Sequence, residues 1–290
     1  KYDYQEKIVM ENITIKDIVE ACSGQLLCGD ENKVIKEFSI DSRSGSEDSI
    51  FVPIIGERVD AHKFIDGALK INGATFTSEH DEPLEGFENK PWIKVADTVE
   101  AMQKVGTFYR NRMNLPVVAV TGSVGKTSTK EVIASVLNQK YHTLKTQGNF
   151  NNELGLPLTV FRLRDGDEIA VLEMGISDFG EMTRLAHIAR PDTCVITNIG
   201  TCHLENLGDR NGVLKAKTEI FKFLRPEGHI VLNGDDDKLI TVKEYEKIKP
   251  VFFGMSNERQ VYGDKVVSRG LKGMTCTDTF FPYIFPLSFI

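Results

Sequence analysis

The residues best placed to do chemistry stand together in Pro116-Val-Val-Ala-Val-Thr-Gly-Ser-Val-Gly-Lys-Thr-Ser128. The apolar, β-branched run Val117 to Val120 reads as a buried strand. It breaks at Gly122 and Gly125, and Lys126-Thr127 opens a helix with Val132, Ile133, Val136 and Leu137 as its apolar face. Strand, glycine turn and helix N-terminus make an anion site, because unpaired N–H groups and the positive helix end converge there. Gly122, Ser123, Gly125, Lys126, Thr127 and Ser128 would then wrap phosphates. Lys126 supplies a mobile charge and the Thr127 hydroxyl can ligate Mg²⁺. Only Ser123 and Val124 separate the two glycines, where the general phosphate-loop pattern has four residues. An ordinary Gly-rich turn is the alternative, and Gly-Lys-Thr after an apolar strand favours phosphate.

Other reactive side chains cluster after apolar runs. Glu173 lies near the end of Ala170-Val-Leu-Glu-Met-Gly175, where a buried carboxylate needs a metal or a cationic partner. His203 comes after Cys194-Val-Ile-Thr-Asn-Ile-Gly200, either as a ligand or as a packed loop residue. Asn233-Gly-Asp-Asp-Asp237 could hold a base edge or a ribose, or simply cap a helix. Asn149, Asn151 and Asn152 belong to an amide-rich loop that suits either a turn or a polar substrate. Ser42 and Arg43 beside Asp41 form an exposed turn, or a grip on a phosphate or uracil-like group. Lys217, in Ala216-Lys-Thr-Glu-Ile-Phe221, reads on its own as an exposed helix lysine.

These residues need a frame, and the pattern supplies an α/β one. Thr14 can cap a helix over 15–22; strands are expected at 38–40, 50–55 and 74–77, with a helix at 61–70. Residues 10–94 thus read as a small mixed N-terminal domain, preceded by a polar extension, 1–9, with Met10 as the original start. A helix from Asp97 to Asn114 leads into the phosphate-loop strand. Strands at 169–174, 193–199, 229–233 and 251–253 then alternate with helices at 179–189, 211–224 and 238–247. That alternation predicts a central domain, 95–276, with a mostly parallel sheet flanked by helices and ligands at the strands' carboxyl ends.

Composition narrows the partners. The 290 residues suit about two domains, and 41% hydrophobic with 27% charged residues is ordinary for a soluble protein. A net charge of −7 argues against nucleic acid. Five cysteines without a Cys-x-x-Cys pair fit reduced cytoplasmic thiols better than disulfides or zinc. The apolar tail, 277–290, holds Pro282 and Pro286 and is too short to span a membrane, which takes about 20 apolar residues.

Taken together, the motifs resemble the Mur ligases, ATP-dependent amide-forming enzymes of peptidoglycan synthesis. Thr121-Gly-Ser-Val-Gly-Lys-Thr127 looks like the short phosphate loop of that family. Thr146-Gln-Gly-Asn-Phe-Asn-Asn-Glu-Leu-Gly-Leu-Pro157 resembles the branch that joins D-alanyl-D-alanine to UDP-N-acetylmuramoyl-tripeptide. Leu172-Glu-Met-Gly175, Asn198-Ile-Gly-Thr-Cys-His-Leu-Glu205, Ala216 to Phe221 and Phe38-Ser-Ile-Asp-Ser-Arg43 match the same branch. The resemblance covers roughly residues 10–275.

It implies Lys126 on the β- and γ-phosphates of ATP, Thr127 on a first Mg²⁺, Glu173 in metal binding and His203 on a second Mg²⁺. It implies that Lys217 is carbamylated by CO₂ and so becomes an anionic metal ligand, reversing its reading as an exposed lysine. Asn149, Asn151 and Asn152 would line the nucleotide–substrate junction, Asn233 would face adenine, and Ser42 with Arg43 would contact UDP. The implied chain is a cytoplasmic monomer whose C-terminal ligase domain is missing, leaving little turnover. A Mur ligase adding another amino acid is a runner-up, disfavoured by the 147–152 run. A non-catalytic P-loop module is another, although no guanine-specifying Asn-Lys-x-Asp run comes after a later strand.

Overall fold

Short apolar runs and capped helices build two units from this chain. The structure, a computed structural model, describes residues 13–268, 274–280 and 283–289, so the extension expected at 1–9 and Met10 lie outside the described residues. One unit takes the chain up to Leu115 together with Thr146–Glu168; the other takes Pro116–Lys145 and the residues from Ile169 on. The first unit therefore runs past residue 94, the boundary expected from the sequence.

In the first unit β1 (Ile13–Thr14) leads into α1 (Ile15–Cys22). The Thr14 hydroxyl accepts from Asp17 N while Asp17 accepts from Thr14 N, a reciprocal cap that fixes where the helix starts. Then come β2 (Gln25–Cys28), β3 (Val34–Ile35), β4 (Glu37–Ser39), β5 (Ser49–Phe51), α2 (Ile65–Leu69), β6 (Ala74–Thr77), β7 (Trp92–Lys94) and α3 (Thr98–Arg112). β3 pairs with β1, and the other strands form one sheet in the order β2-β7-β6-β5-β4, parallel except for β2–β7. β5 stops well short of Ile55, and Pro53, which has no N–H for a ladder, lies just beyond its end. Phe51, Ile65, Ala68, Leu69 and Trp92 form a core cluster. The segment 146–168 adds Phe161, stacked on Phe38 at 4.2 Å. Leu163 O accepts the Tyr109 hydroxyl at 2.7 Å.

The second unit starts with β8 (Val117–Thr121), α4 (Lys126–Leu137) and β9 (Thr143–Lys145); α5 (Gly155–Val160) then lies in the first unit. It continues with β10 (Ile169–Glu173), α6 (Glu181–Ala189), β11 (Thr193–Ile196), α7 (Leu204–Leu207), α8 (Arg210–Thr218), β12 (His229–Asn233), β13 (Val251–Gly254), β14 (Val261–Ser268), β15 (Met274–Phe280) and β16 (Tyr283–Phe289). The sheet order is β16-β15-β14-β13-β12-β11-β8-β10-β9. From β9 to β14 every neighbour is parallel, as expected; β15 and β16 extend the edge antiparallel. β8 lies between β10 and β11, where the strand order reverses. Doubly wound sheets open a ligand crevice at that point.

Three local expectations are corrected. The helix expected at 238–247 is a single 3₁₀ turn, Leu239–Thr241. Glu246 and Lys247 have φ of 46° and 72°, and Tyr245 bridges to Ile248, so the chain turns back there. In α4 the sheet-facing stripe is Lys130, Ile133, Ala134 and Leu137; Val132 and Val136 point to solvent. The small Ala134 lets the helix sit close on Val120, Val171 and Val195, which selects that stripe. The helix expected at 211–224 also divides into α8 and a 3₁₀ turn, Glu219–Phe223.

Candidate nucleotide and metal site

β8 delivers the chain to a turn that only glycine can make. Gly122 has φ of 148°, and a Cβ there would lie 1.9 Å from Thr197 Oγ1. Gly125 (φ 81°) then begins α4 from the left-handed region. The helix ladder opens with Thr129 N on Gly125 O at 2.9 Å, so the N–H groups of Lys126, Thr127 and Ser128 precede it. These donors and the positive helix end form a cradle for an anion. Lys126 arches over the loop, its Nζ donating to Gly122 O at 2.9 Å.

Glu173 ends β10, the parallel neighbour of β8, and is 1% exposed. The Thr127 hydroxyl donates to its Oε1 at 3.2 Å. Lys130, equally buried, places Nζ 2.9 Å from Glu131 Oε1 and 3.9 Å from Glu173 Oε2. A carboxylate and a hydroxyl this close are hard oxygen donors of the kind Mg²⁺ takes, and the fixed positive charge of Lys130 makes a buried carboxylate tolerable.

On the other side of β8, the loop after β11 leans on the phosphate loop. Ser123 Oγ accepts from Gly200 N at 2.8 Å and lies 3.2 Å from Cys202 Sγ. His203 comes next, with φ of 55° at the head of α7 and Nδ1 3.9 Å from Glu205. Lys217, near the end of α8, is 1% exposed and not the solvated lysine its own stretch suggests. Burial pushes its ammonium down to about 8, from 10.5; the nearby Cys202 thiol opposes this and the charge of Lys126 adds to it. A buried lysine that sheds its proton readily can react with CO₂. The structure thus joins Thr127 to Glu173, ties the 200–203 loop to Ser123, and sets Lys217 within electrostatic reach of Lys126. Asn233 Nδ2 donates to Thr197 O and its Oδ1 accepts from Asp235 N, each at 3.0 Å.

The remaining candidates lie in the first unit. Arg43 forms a two-pronged pair with Asp41, Nε to Oδ1 at 2.9 Å and Nη2 to Oδ2 at 2.8 Å, which holds the Asp41 carboxyl down at about 2. Ser42 and Arg43 line a pocket of about 370 Å³ with Lys63, Phe64, Asp66, Gly67 and Ile71. Asn149 and Asn152 are exposed, with Asn151 between them; Asn152 Oδ1 accepts from Gly155 N, at the start of α5, at 2.8 Å.

The Mur ligase middle domain model matches residues 120–282, more than half of the chain. The chain belongs to the Mur ligase family. This Mur ligase chain is 41% identical over 227 residues to the UDP-N-acetylmuramoyl-tripeptide–D-alanyl-D-alanine ligase of Bacillus subtilis, covering 78% of itself and 50% of the relative. It is similar to MurF from Acinetobacter baumannii, with a TM-score of 0.87 at 28% identity, over 96% of this chain and 61% of the other. MurF ligase from Thermotoga maritima, solved in complex with ADP, gives a TM-score of 0.77 at 31% identity, covering 87% of this chain and 57% of that one. The chain spans about half the length of the curated relatives it matches. Among the described residues no helix is long and apolar enough to cross a membrane.

Two residues at the site could not be picked out from the sequence. Lys130 reads as one more helix lysine, yet it is buried beside Glu173. Asn198 reads only as part of a motif, yet its side chain clamps the phosphate loop. The signal for Asn198 was strand adjacency: once β11 is paired with β8 through Ile196 and Thr121, residues 197–198 must lie beside 122–124.

Proposed function

We propose that this chain carries the nucleotide and UDP-substrate sites of a ligase joining D-alanyl-D-alanine to UDP-N-acetylmuramoyl-tripeptide with ATP. The observation that carries it is the 3.2 Å contact of Thr127 with buried Glu173 beside a glycine-built helix N-terminus. The likeness to a MurF solved with ADP supports the nucleotide as adenine-based. The tripeptide carboxylate attacks the γ-phosphate to give an acyl phosphate, and the dipeptide amine then displaces phosphate. The protein's part is positioning and neutralising charge. Lys126 and the N–H groups of residues 126–128 would hold the phosphates. Thr127, Glu173, His203 and carbamylated Lys217 would hold two Mg²⁺, which neutralise charge on the transferring phosphoryl group. Ser42 and Arg43 would take the UDP end, Asn149, Asn151 and Asn152 a polar part of the substrate, and Asn233 the adenine. A cytoplasmic monomer goes with this reading.

The test is calorimetric titration of the folded chain with ADP and Mg²⁺, and with UDP-N-acetylmuramoyl-tripeptide, alongside phosphate release with all three substrates present. Saturable binding of both ligands is expected, with Lys126→Ala abolishing the first. A folded chain that binds no adenine nucleotide overturns the proposal, and a preference for GTP would favour a P-loop switch.

A further inference from the structure

Asn198 stands just past β11, and the proposed reaction gives it no part. Its side chain grips the phosphate loop three times. Oδ1 accepts from Ser123 N at 3.1 Å and from Val124 N at 2.9 Å, and Nδ2 donates to Val124 O at 3.0 Å. The preceding Thr197 sends its hydroxyl to the same Val124 O at 2.7 Å. In return the phosphate loop holds the backbone beyond Asn198, because Ser123 Oγ accepts the Gly200 N–H at 2.8 Å.

This ring of bonds has two consequences. First, the Ser123 and Val124 N–H groups are spent on Asn198, so they are not the donors a phosphate meets. The anion is left to the N–H groups at the start of α4. Second, Ser123 is held by Asn198 from one side and holds Gly200 on the other. A shift in the phosphate loop must therefore move the stretch Gly200–His203, and the reverse also holds. Val124 is exposed while Ser123, Asn198 and Gly200 are half-buried, and the bonds of such a shared network reinforce one another.

We propose that Asn198 is a positioning residue that couples the phosphate loop to the His203 loop, so that nucleotide in one orders the other. The ligand half of this statement rests on the nucleotide reading of the proposed function; the mechanical half does not. The test is amide hydrogen exchange on the whole chain, with and without ADP plus Mg²⁺, in wild type, Asn198→Ala and Ser123→Ala. Asn198→Ala removes no partner of the Gly200 N–H, yet without nucleotide that amide should exchange about tenfold faster, the size of one weakened hydrogen bond. In Ser123→Ala the Gly200 amide should also speed up, while Val124, still on Asn198, should not. With nucleotide, wild type should show slower exchange across 200–203, and both variants should lose that protection.

Unchanged Gly200 exchange in Asn198→Ala overturns the coupling, as does full nucleotide protection of 200–203 in the variants. If Asn198→Ala does not fold, Ser123→Ala decides: kept protection at 200–203 refutes the proposal and lost protection supports it. If wild type binds no ADP, the nucleotide reading fails, and the nucleotide-free exchange still judges the coupling.

Discussion

Lys217 is the residue whose chemistry changes most between sequence and structure. Its ammonium, held at about 8 by burial, is less stable in the folded chain than in the unfolded one, where 10.5 is usual. A base with a lowered folded pKa costs stability, fully below about pH 8 and not at all above 10.5. Replacing it by uncharged Lys217→Met should therefore raise the melting temperature at pH 7 in CO₂-free buffer, by the equivalent of roughly 3 kcal/mol. The advantage should fade as pH approaches 10.5. Calorimetry across pH 7 to 10.5 checks this, and a flat difference would show that the lysine is not desolvated. The same lowered proton affinity leaves a neutral amine near pH 8, where added ¹³C-bicarbonate should label the wild type and not the variant. Glu173 gives a second prediction at this scale. Glu173→Gln keeps an acceptor for the Thr127 hydroxyl and removes the charge, so Mg²⁺ should cease to strengthen ADP binding, a loss of about 10- to 100-fold in metal affinity. ADP affinity measured with and without Mg²⁺ reads it directly.

At the scale of elements, the β8 turn is the piece that cannot be varied. Gly122→Ala would set a Cβ 1.9 Å from Thr197 Oγ1 and hold alanine at a φ of 148°. Strain of that kind costs about 1–3 kcal/mol, and relieving it must push β11 away from the loop. The variant should melt several degrees lower and bind ADP poorly; Gly166→Ala, with open space around it, should do neither. Much of this unit was legible because its signals are local. Apolar runs bounded by glycine gave β8, β10, β11 and β12, and the candidates Glu173 and His203 were read from the end of β10 and the loop past β11. The features that could not be read depend on pairing. β7 and β9 are short, and become strands only because a longer neighbour, β6 or β10, offers a ladder. The stripe of α4 was set by Ala134 against the sheet, which no helical period reveals when Val132, Ile133 and Val136 are all apolar. Lys130 and Asn198 were invisible for the same reason, since each acts on a residue far along the chain.

On the proposed function the molecule would gather highly anionic ligands while carrying a net charge of −7. Its cations are therefore local: Lys126 and Lys130 in the second unit, Arg43 and Lys63 around the pocket in the first. The first unit also holds Trp92, the chain's one tryptophan, and this gives it a private reporter. α2 presents Asp66 and Gly67 to the pocket while Ile65, Ala68 and Leu69 pack in the cluster that contains Trp92. A ligand in the pocket should thus stabilise the region that Trp92 reports. UDP at about 100 times its dissociation constant stabilises the state it binds by about 2.7 kcal/mol, which is several degrees in a unit of this size. Arg43→Ala should abolish that shift. It should leave the ligand-free melting temperature nearly unchanged, because Arg43 is 86% exposed and its pair with Asp41 is a surface one. Melting followed by Trp92 fluorescence, with UDP and with uridine as a phosphate-free control, makes the measurement. No shift with saturating UDP, or an equal shift in Arg43→Ala, would remove the pocket from the UDP-substrate site and leave the nucleotide assignment in the second unit standing.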